Sequence, residues 1–381
     1  MTKVCVPRPL TFVIRHSSLA RRAPSLPARN PACYFRPVSD LLIGALGALL
    51  ATNPPTALSN LVHARTGIPI SVANANDPVE KEYQRLLEMD DEAQEEVERW
   101  LRENDSLKAA GAGLDPARMR AKALARYDPM KKAYDAFLAA HPDHARARLA
   151  YGGFLSDIGE EEPAFKQWEK ARDLDPKNPV AWNNLANYYG HNGQVTNAFA
   201  CYARALELQP GEPLYPHNFA TTVFLFRKDA MEYFKLTEPQ VFDKALGLYR
   251  QARALDPDNF LLATDLAQCY YVMKPPKSED PEATRKAEQK LADEALAEWR
   301  AAFKIAPDEN TRQGVYVHFA RWQINSGRFD EARKTLGLLT NGAFASTKKA
   351  LEKKMARSET GAASTTNAPA SKTEESLPLK P

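Results

Sequence analysis

Asn183 and Asn187 stand four residues apart, and His191 follows after four more. On an α-helix this spacing brings all three to one face, one turn apart. An amide side chain donates and accepts hydrogen bonds at once, so two in line suit holding the backbone of an extended peptide. Polar groups in comparable positions recur further on: His217 and Thr221, then Thr264, Gln268 and Tyr271, then Arg321 with Asn325. These are binding groups. The motifs that carry catalysis are missing from the sequence, which has no HExxH, no CxxC, no GxSxG and no glycine-rich phosphate loop. His141 and His144 flank a turn with only Asp143 nearby, too thin a donor set for a metal. No catalytic residue, metal or cofactor is expected.

The elements that position these groups are set by a repeated pattern. An alanine is followed by an aromatic, a second alanine and a proline at fixed offsets. The four copies are Ala164, Trp168, Ala171, Pro176; Ala198, Tyr202, Ala205, Pro210; Ala245, Tyr249, Ala252, Pro257; and Ala295, Trp299, Ala302, Pro307. Offsets of four and seven share a helix face, where the alanines let a neighbouring helix come close and the aromatic fills the space between. The proline then ends the helix. Pro142, Pro176 and Pro210 lie 34 residues apart. A period of this length marks a chain built by stacking one helical hairpin repeatedly.

The first helix of the unit is clearest at Trp182, Leu185, Ala186 and Tyr189, with Gly193 in the turn before Ala198. With Pro210 these residues resemble the tetratricopeptide repeat, Ala186 standing in place of its glycine. The preceding unit carries Tyr151, Gly152, Leu155 and Gly159 at the corresponding places. A looser copy precedes at Met130, Tyr134, Phe137 and Pro142, and another follows at Tyr316, Phe319, Ala320, Gly327 and Ala332. The resemblance covers residues 115–342. It implies an all-α fold, a right-handed α-solenoid of about six hairpins whose first helices line a concave groove. It also implies a peptide-binding role for the groove residues Asn183, Asn187, His191, His217, Thr221, Thr264, Gln268, Tyr271 and Arg321. Leu149 and Gly153 stand where a carboxylate clamp would need lysines.

Two units are longer than the family period. Pro210 to Pro257 spans 47 residues and Pro257 to Pro307 spans 50. The first insertion, near 226–237, keeps a helical pattern through Phe226, Met231 and Phe234 before Pro239 restarts the second helix. The second reads as a loop over 274–280 followed by a long helix over 281–305.

The ends differ in composition. Residues 1–39 hold seven Lys/Arg and no acid, followed by the apolar run Leu41–Ala51 and small residues through Ser59. Residues 1–59 read as a secretory leader, with a mitochondrial transit peptide as the alternative, and residues 60–76 as a linker. The expected location is therefore exported, periplasmic or envelope-associated. Residues 77–105 carry twelve acids against four bases, and 77–114 read as an acidic helical cap or a partner-binding arm. A terminal helix is expected over 343–357 and a disordered tail over 358–381. Cys201 and Cys269 lie on helices of different units and read as buried small hydrophobes. The net charge of +3 comes largely from the ends. Basic residues in the repeats alternate with acids, so no nucleic-acid partner is expected. The reading is a non-enzymatic scaffold for a protein or peptide partner, with a self-associating envelope component as the alternative.

Overall fold

The computed structural model describes residues 77–109, 111–275 and 278–366. All regular structure among them is helical, and the chain divides into two compact units at Gln209/Pro210. In the first lie α1 (Pro78–Ala109), α2 (Pro116–Ala140), α3 (Ala145–Asp157), α4 (Glu161–Leu174), α5 (Pro179–His191) and α6 (Val195–Leu208). They pack as three hairpins, α1 with α2, α3 with α4 and α5 with α6, each stacked on the next.

The ends of these helices follow the local chemistry. Asp115 Oδ1 accepts the Ala117 and Arg118 N–H groups, and Asn178 Oδ1 accepts that of Val180, so each cap meets first-turn donors of α2 and α5. Pro116 and Pro179 occupy first-turn positions where no N–H is needed. The repeated prolines Pro142, Pro176 and Pro210 lie just past the ends of α2, α4 and α6. Gly159 and Gly193 turn α3 and α5 toward their partners with φ of +87° and +74°, the left-handed geometry that glycine adopts without strain.

The alanines at 164, 171, 198 and 205 are fully buried, with Trp168 and Tyr202 buried beside them. The approach is tightest in the α3/α4 hairpin. A Cβ placed on Gly152 would stand 2.3 Å from Trp168 Nε1. The acidic segment forms α1, which buries Tyr83, Leu86, Ala93 and Val97 against α2 and α3 and so acts as the first helix of the first hairpin. Most of its acids face solvent; Asp90 does not. Its carboxylate accepts from Tyr134 at 2.6 Å and from Gln94 at 2.8 Å. Burial nonetheless raises its pKa above the usual carboxylate range.

The second unit holds α7 (Leu214–Leu225), α8 (Arg227–Phe234), α9 (Glu238–Leu255), α10 (Phe260–Cys269), α11 (Pro281–Lys304), α12 (Glu309–Asn325), α13 (Phe329–Gly337) and α14 (Ala345–Thr366). Here α7 pairs with α9, α10 with α11 and α12 with α13. The first insertion forms α8, which packs on both α7 and α9 and ends at Lys235 with φ +56°. Gln240 Oε1 then accepts the Thr237 N–H and restarts the chain as α9. After the second insertion Asp280 caps α11. The repeat residues Ala295, Trp299 and Ala302 are buried in the C-terminal half of that helix.

The terminal helix is longer than the sequence suggests. Leu351 and Met355 of α14 complete a core with Val317, Ala320, Ile324, Leu336 and Leu339. The helix continues to Thr366, so the expected disordered tail does not begin at Ser358. An ion pair from Arg333 to Glu359 and a bond from the Thr360 hydroxyl to Ala356 O hold these added turns. The leader, the linker and the rest of the tail fall in 1–76 and 367–381, outside the described residues.

Candidate functional site

Two groups of candidate residues lie on the first helices, and the two units treat them differently. In the first unit Asn183 is 4% exposed, with its amide 3.5 Å from Asn184 Oδ1. Asn187 Oδ1 accepts from the Tyr202 hydroxyl at 2.6 Å, tying α5 to α6. His191 is exposed in the last turn of α5. The asparagine pair therefore serves its own hairpin, and much of its capacity is already committed. Trp182 Nε1 donates to Pro176 O across the preceding turn, so even this aromatic is tied locally.

The second unit gathers its candidates into linked clusters. His217 Nε2 lies 2.8 Å from Asp265 Oδ2, joining α7 to α10. Gln268, one turn along α10, reaches toward the other oxygen of the same carboxylate at 3.5 Å. Thr221 and Thr264 are buried, and each hydroxyl bonds a carbonyl of its own helix, at His217 and Leu261. That is the common fate of a short hydroxyl inside a helix, where the preceding turn supplies the nearest acceptor. Thr221 also lies 2.9 Å from the hydroxyl of the fully buried Tyr249.

A second cluster forms where α10 ends. The Tyr271 hydroxyl is 2.9 Å from His318 Nδ1 of α12. His318 lies flat on Trp299 at 3.7 Å and 9°, while Tyr271 stacks on Trp322 at 5.1 Å. Burial, assisted by the positive charge of Arg321, pushes the His318 imidazole down to about 3. Burial raises the Tyr271 phenol above its ordinary range, with Arg321 opposing the shift. Both groups are neutral near pH 7 and act as hydrogen-bonding and stacking surfaces.

Asp265, His318, Trp299 and Trp322 are the members the sequence candidates omit. Asp265 left a signal, a lone acid inside the apolar stretch of α10. His318 is alone on its own helix and gains partners only when α10 and α11 pack against it.

The remaining titratable groups have structural duties. His144 Nδ1 accepts the Ala147 N–H and caps α3, and its ring packs on Tyr83 and Phe137. Burial, then Arg146, lowers its pKa. His141 lies 3.3 Å from Glu82. Cys201 and Cys269 are free and buried, as expected, and burial pushes the Cys201 thiol up to about 11. Among the described residues no three His, Cys, Asp or Glu side chains are placed to hold a metal. No helix there is long and apolar enough to cross a membrane. A shallow depression of about 370 Å³ in the first unit is lined by Lys131, Asp135, Tyr151, Glu160 and Lys170, and none of the candidate residues borders it.

Comparison with known proteins agrees with the architecture. The family described as tetratricopeptide repeat matches residues 167–200, from within α4 through α5 into α6. No curated protein sequence matches. Among solved structures, MamA is 18% identical, with 48% of this chain and 91% of its own covered and a TM-score of 0.36. YrrB, described as a TPR protein with an unusual peptide-binding site, is 15% identical over 58% of this chain and 99% of its own, with a TM-score of 0.42. The C-terminal part of a TPR repeat-containing protein from Cytophaga hutchinsonii is 13% identical over 71% and 98%, with a TM-score of 0.44. Such scores leave binding and activity unaddressed. The match at 167–200, together with the same alanine–aromatic–alanine–proline hairpin repeated on both sides of it, gives this chain a tetratricopeptide-repeat architecture.

Proposed function

We propose that this chain is a non-catalytic protein-interaction scaffold, and that it takes up an extended peptide or a helix along the first-helix face of its second unit. One observation carries the reading. Hydrogen-bonded pairs link successive first helices directly, His217 to Asp265 from α7 to α10 and Tyr271 to His318 from the end of α10 to α12. The first helices thus share one polar and aromatic surface. His217, Gln268, Tyr271, His318 and Arg321 are half-buried on it, partly open to a ligand and already held in place. Fixed side chains lose little entropy when a ligand arrives, which favours binding. The leader-like composition of residues 1–59 supports an exported or envelope location for this activity.

A photo-crosslinking amino acid placed at Gln268, and separately at Arg250 on the second helix α9, tests the proposal in cells. A discrete crosslinked partner from position 268 alone is the expected result. Equal labelling from both positions, or none from 268, would refute it. A second reading, self-association through the α8 insertion, is favoured by Tyr233 and Leu225, which are 42% and 38% exposed at that insertion. Crosslinks between copies from position 233 would support it.

A further inference from the structure

The last described helix keeps one side uncovered. α14 packs on α12 and α13 through Leu351 and Met355, and its cations divide between its two sides. Lys348 Nζ donates to Leu339 O and Lys354 Nζ to Asn325, so both turn back into their own unit. Lys349, Lys353 and Arg357 are exposed at successive turns, and none makes an ion pair or hydrogen bond among the described residues. The side chains exposed between them, Ser346, Ala350 and Ala356, are small. A second helix can therefore approach this face closely, and it meets cations over about 12 Å of helical rise. Glu352 lies at the edge of the face and pairs with none of the three.

The chain also carries a helix face of the opposite sign. α1 packs on α2 and α3. On its exposed side Glu88, Asp91, Glu92 and Glu95 form a stripe of about 10 Å, without an ion pair or hydrogen bond among the described residues. Arg85 and Arg99 flank the stripe and pair with none of it. Glu88 with Glu92 and Asp91 with Glu95 are like charges one turn apart, as are Lys349 with Lys353 and Lys353 with Arg357 on α14. Such pairs weaken a helix, and a stripe of opposite charge laid across them relieves the repulsion. Partial burial, and then Glu95, hold the Asp91 carboxyl above its usual range.

We propose that the exposed face of α14 docks on α1 of a second copy of this chain. The two stripes match in length and are opposite in sign. Two different surfaces meet, so the assembly either closes as a ring, with a reciprocal dimer the smallest, or continues as a filament. The contact uses neither the first-helix face nor α8, so it stands whether or not a peptide binds. Exposed ion pairs are individually weak and screened by salt, which makes the association weak, concentration-dependent and confined to low ionic strength.

The test follows the weight-average mass of the full chain by light scattering as concentration rises, at about 0.01 M and about 0.5 M salt. The parent should grow in mass at low salt and stay monomeric at high salt. Reversing α14 with Lys349→Glu, Lys353→Glu and Arg357→Glu should weaken association about tenfold or more, and so should reversing α1 with Glu88→Lys, Glu92→Lys and Glu95→Lys. Mixing the two reversed variants should restore it, because each then offers the other a stripe of opposite sign. A parent that stays monomeric at low salt, or a mixture as weak as its components, would overturn the proposal. Growth that survives the α14 reversal would overturn it too. In that case loss on α1 alone would make residues 1–39, with seven Lys/Arg and no acid, the occupant of α1, and loss on neither would leave α8 as the self-associating surface. Should a reversed variant not melt like the parent, glutamine at the same positions replaces the reversal, and mass growth equal to the parent's would refute the contact.

Discussion

Gly152 and Gly153 are neighbours on α3, yet the same substitution should move stability in opposite directions. A Cβ on Gly153 meets nothing within 4 Å, so Gly153→Ala gains only the helix preference of alanine, about 0.5–1 kcal/mol. A Cβ on Gly152 would stand 2.3 Å from Trp168 Nε1 and 2.5 Å from Cδ1. Ordinary contact is about 3.5–4 Å between carbon atoms, so the indole must retreat by roughly 1 Å in a core where Ala164 and Ala171 are already fully buried. Overpacking of this kind costs about 1–3 kcal/mol, which exceeds the helix gain and leaves Gly152→Ala destabilised by roughly 0.5–2 kcal/mol. The assay is urea unfolding followed by tryptophan fluorescence and amide hydrogen exchange, because a repeat array need not unfold in one step. Trp168→Phe removes the indole edge that clashes, so the double variant should recover part of the loss as a favourable coupling. If Gly152→Ala and Gly153→Ala shift unfolding in the same direction by the same amount, the close α3/α4 approach is wrong.

Three further outcomes follow from the packing. His318 titrates near 3 when folded and near its ordinary 6.5 when unfolded, so below about pH 6.5 the unfolded chain takes up the proton first. Its contribution is complete above that pH and is lost as pH falls toward 3, amounting to at most about 2 kcal/mol at pH 5. His318→Phe keeps a ring on Trp299 without a titrating group, and its unfolding midpoint should fall less than the parent's between pH 7 and pH 5; equal falls would count against the buried neutral imidazole. Lys235 holds φ +56° at the end of α8, so Lys235→Gly should stabilise the protein by up to about 1 kcal/mol, and a loss on thermal melting would contradict the left-handed cap. Ala205→Leu and Ala252→Leu place larger side chains where nothing is exposed and should each cost about 1–3 kcal/mol; melts that match the parent would show that these hairpins have slack.

The hairpins were legible in the sequence because each is fixed by contacts between neighbouring segments. The alanines, the aromatic and the proline of one helix carry the whole signal, and Asp115, Asn178 and Asp280 mark where helices begin. The end of α14 was not legible, since Glu359 and Thr360 belong to a stretch of tail-like composition. What extends the helix there is a charge, Arg333, on a different helix. The candidate site was half legible. A polar residue on a first helix can be named from its register, but its register does not say whether its hydroxyl will turn back to its own helix. Thr221 and Thr264 do so, and Asn187 is taken by Tyr202.

Partners across first helices follow a rule that the insertions conceal. His217 and Asp265 are 48 residues apart, and Tyr271 and His318 are 47 apart. Both separations are close to the expanded units, 47 and 50 residues between prolines, and far from the family period of 34. Stepping forward 48 residues from His217, one more than the 47 between prolines, finds Asp265, the lone acid of its apolar helix. Stepping back 50 residues from Arg321 reaches Tyr271, whose hydroxyl it hydrogen-bonds. The neighbouring unit thus supplies His217 with an acid and Arg321 with a phenol. Tyr271→Phe removes the hydroxyl that joins the end of α10 to α12 and should lower the unfolding midpoint while leaving the His217–Asp265 link intact, and an unchanged midpoint would show that the Tyr271–His318 pair does not hold these helices together.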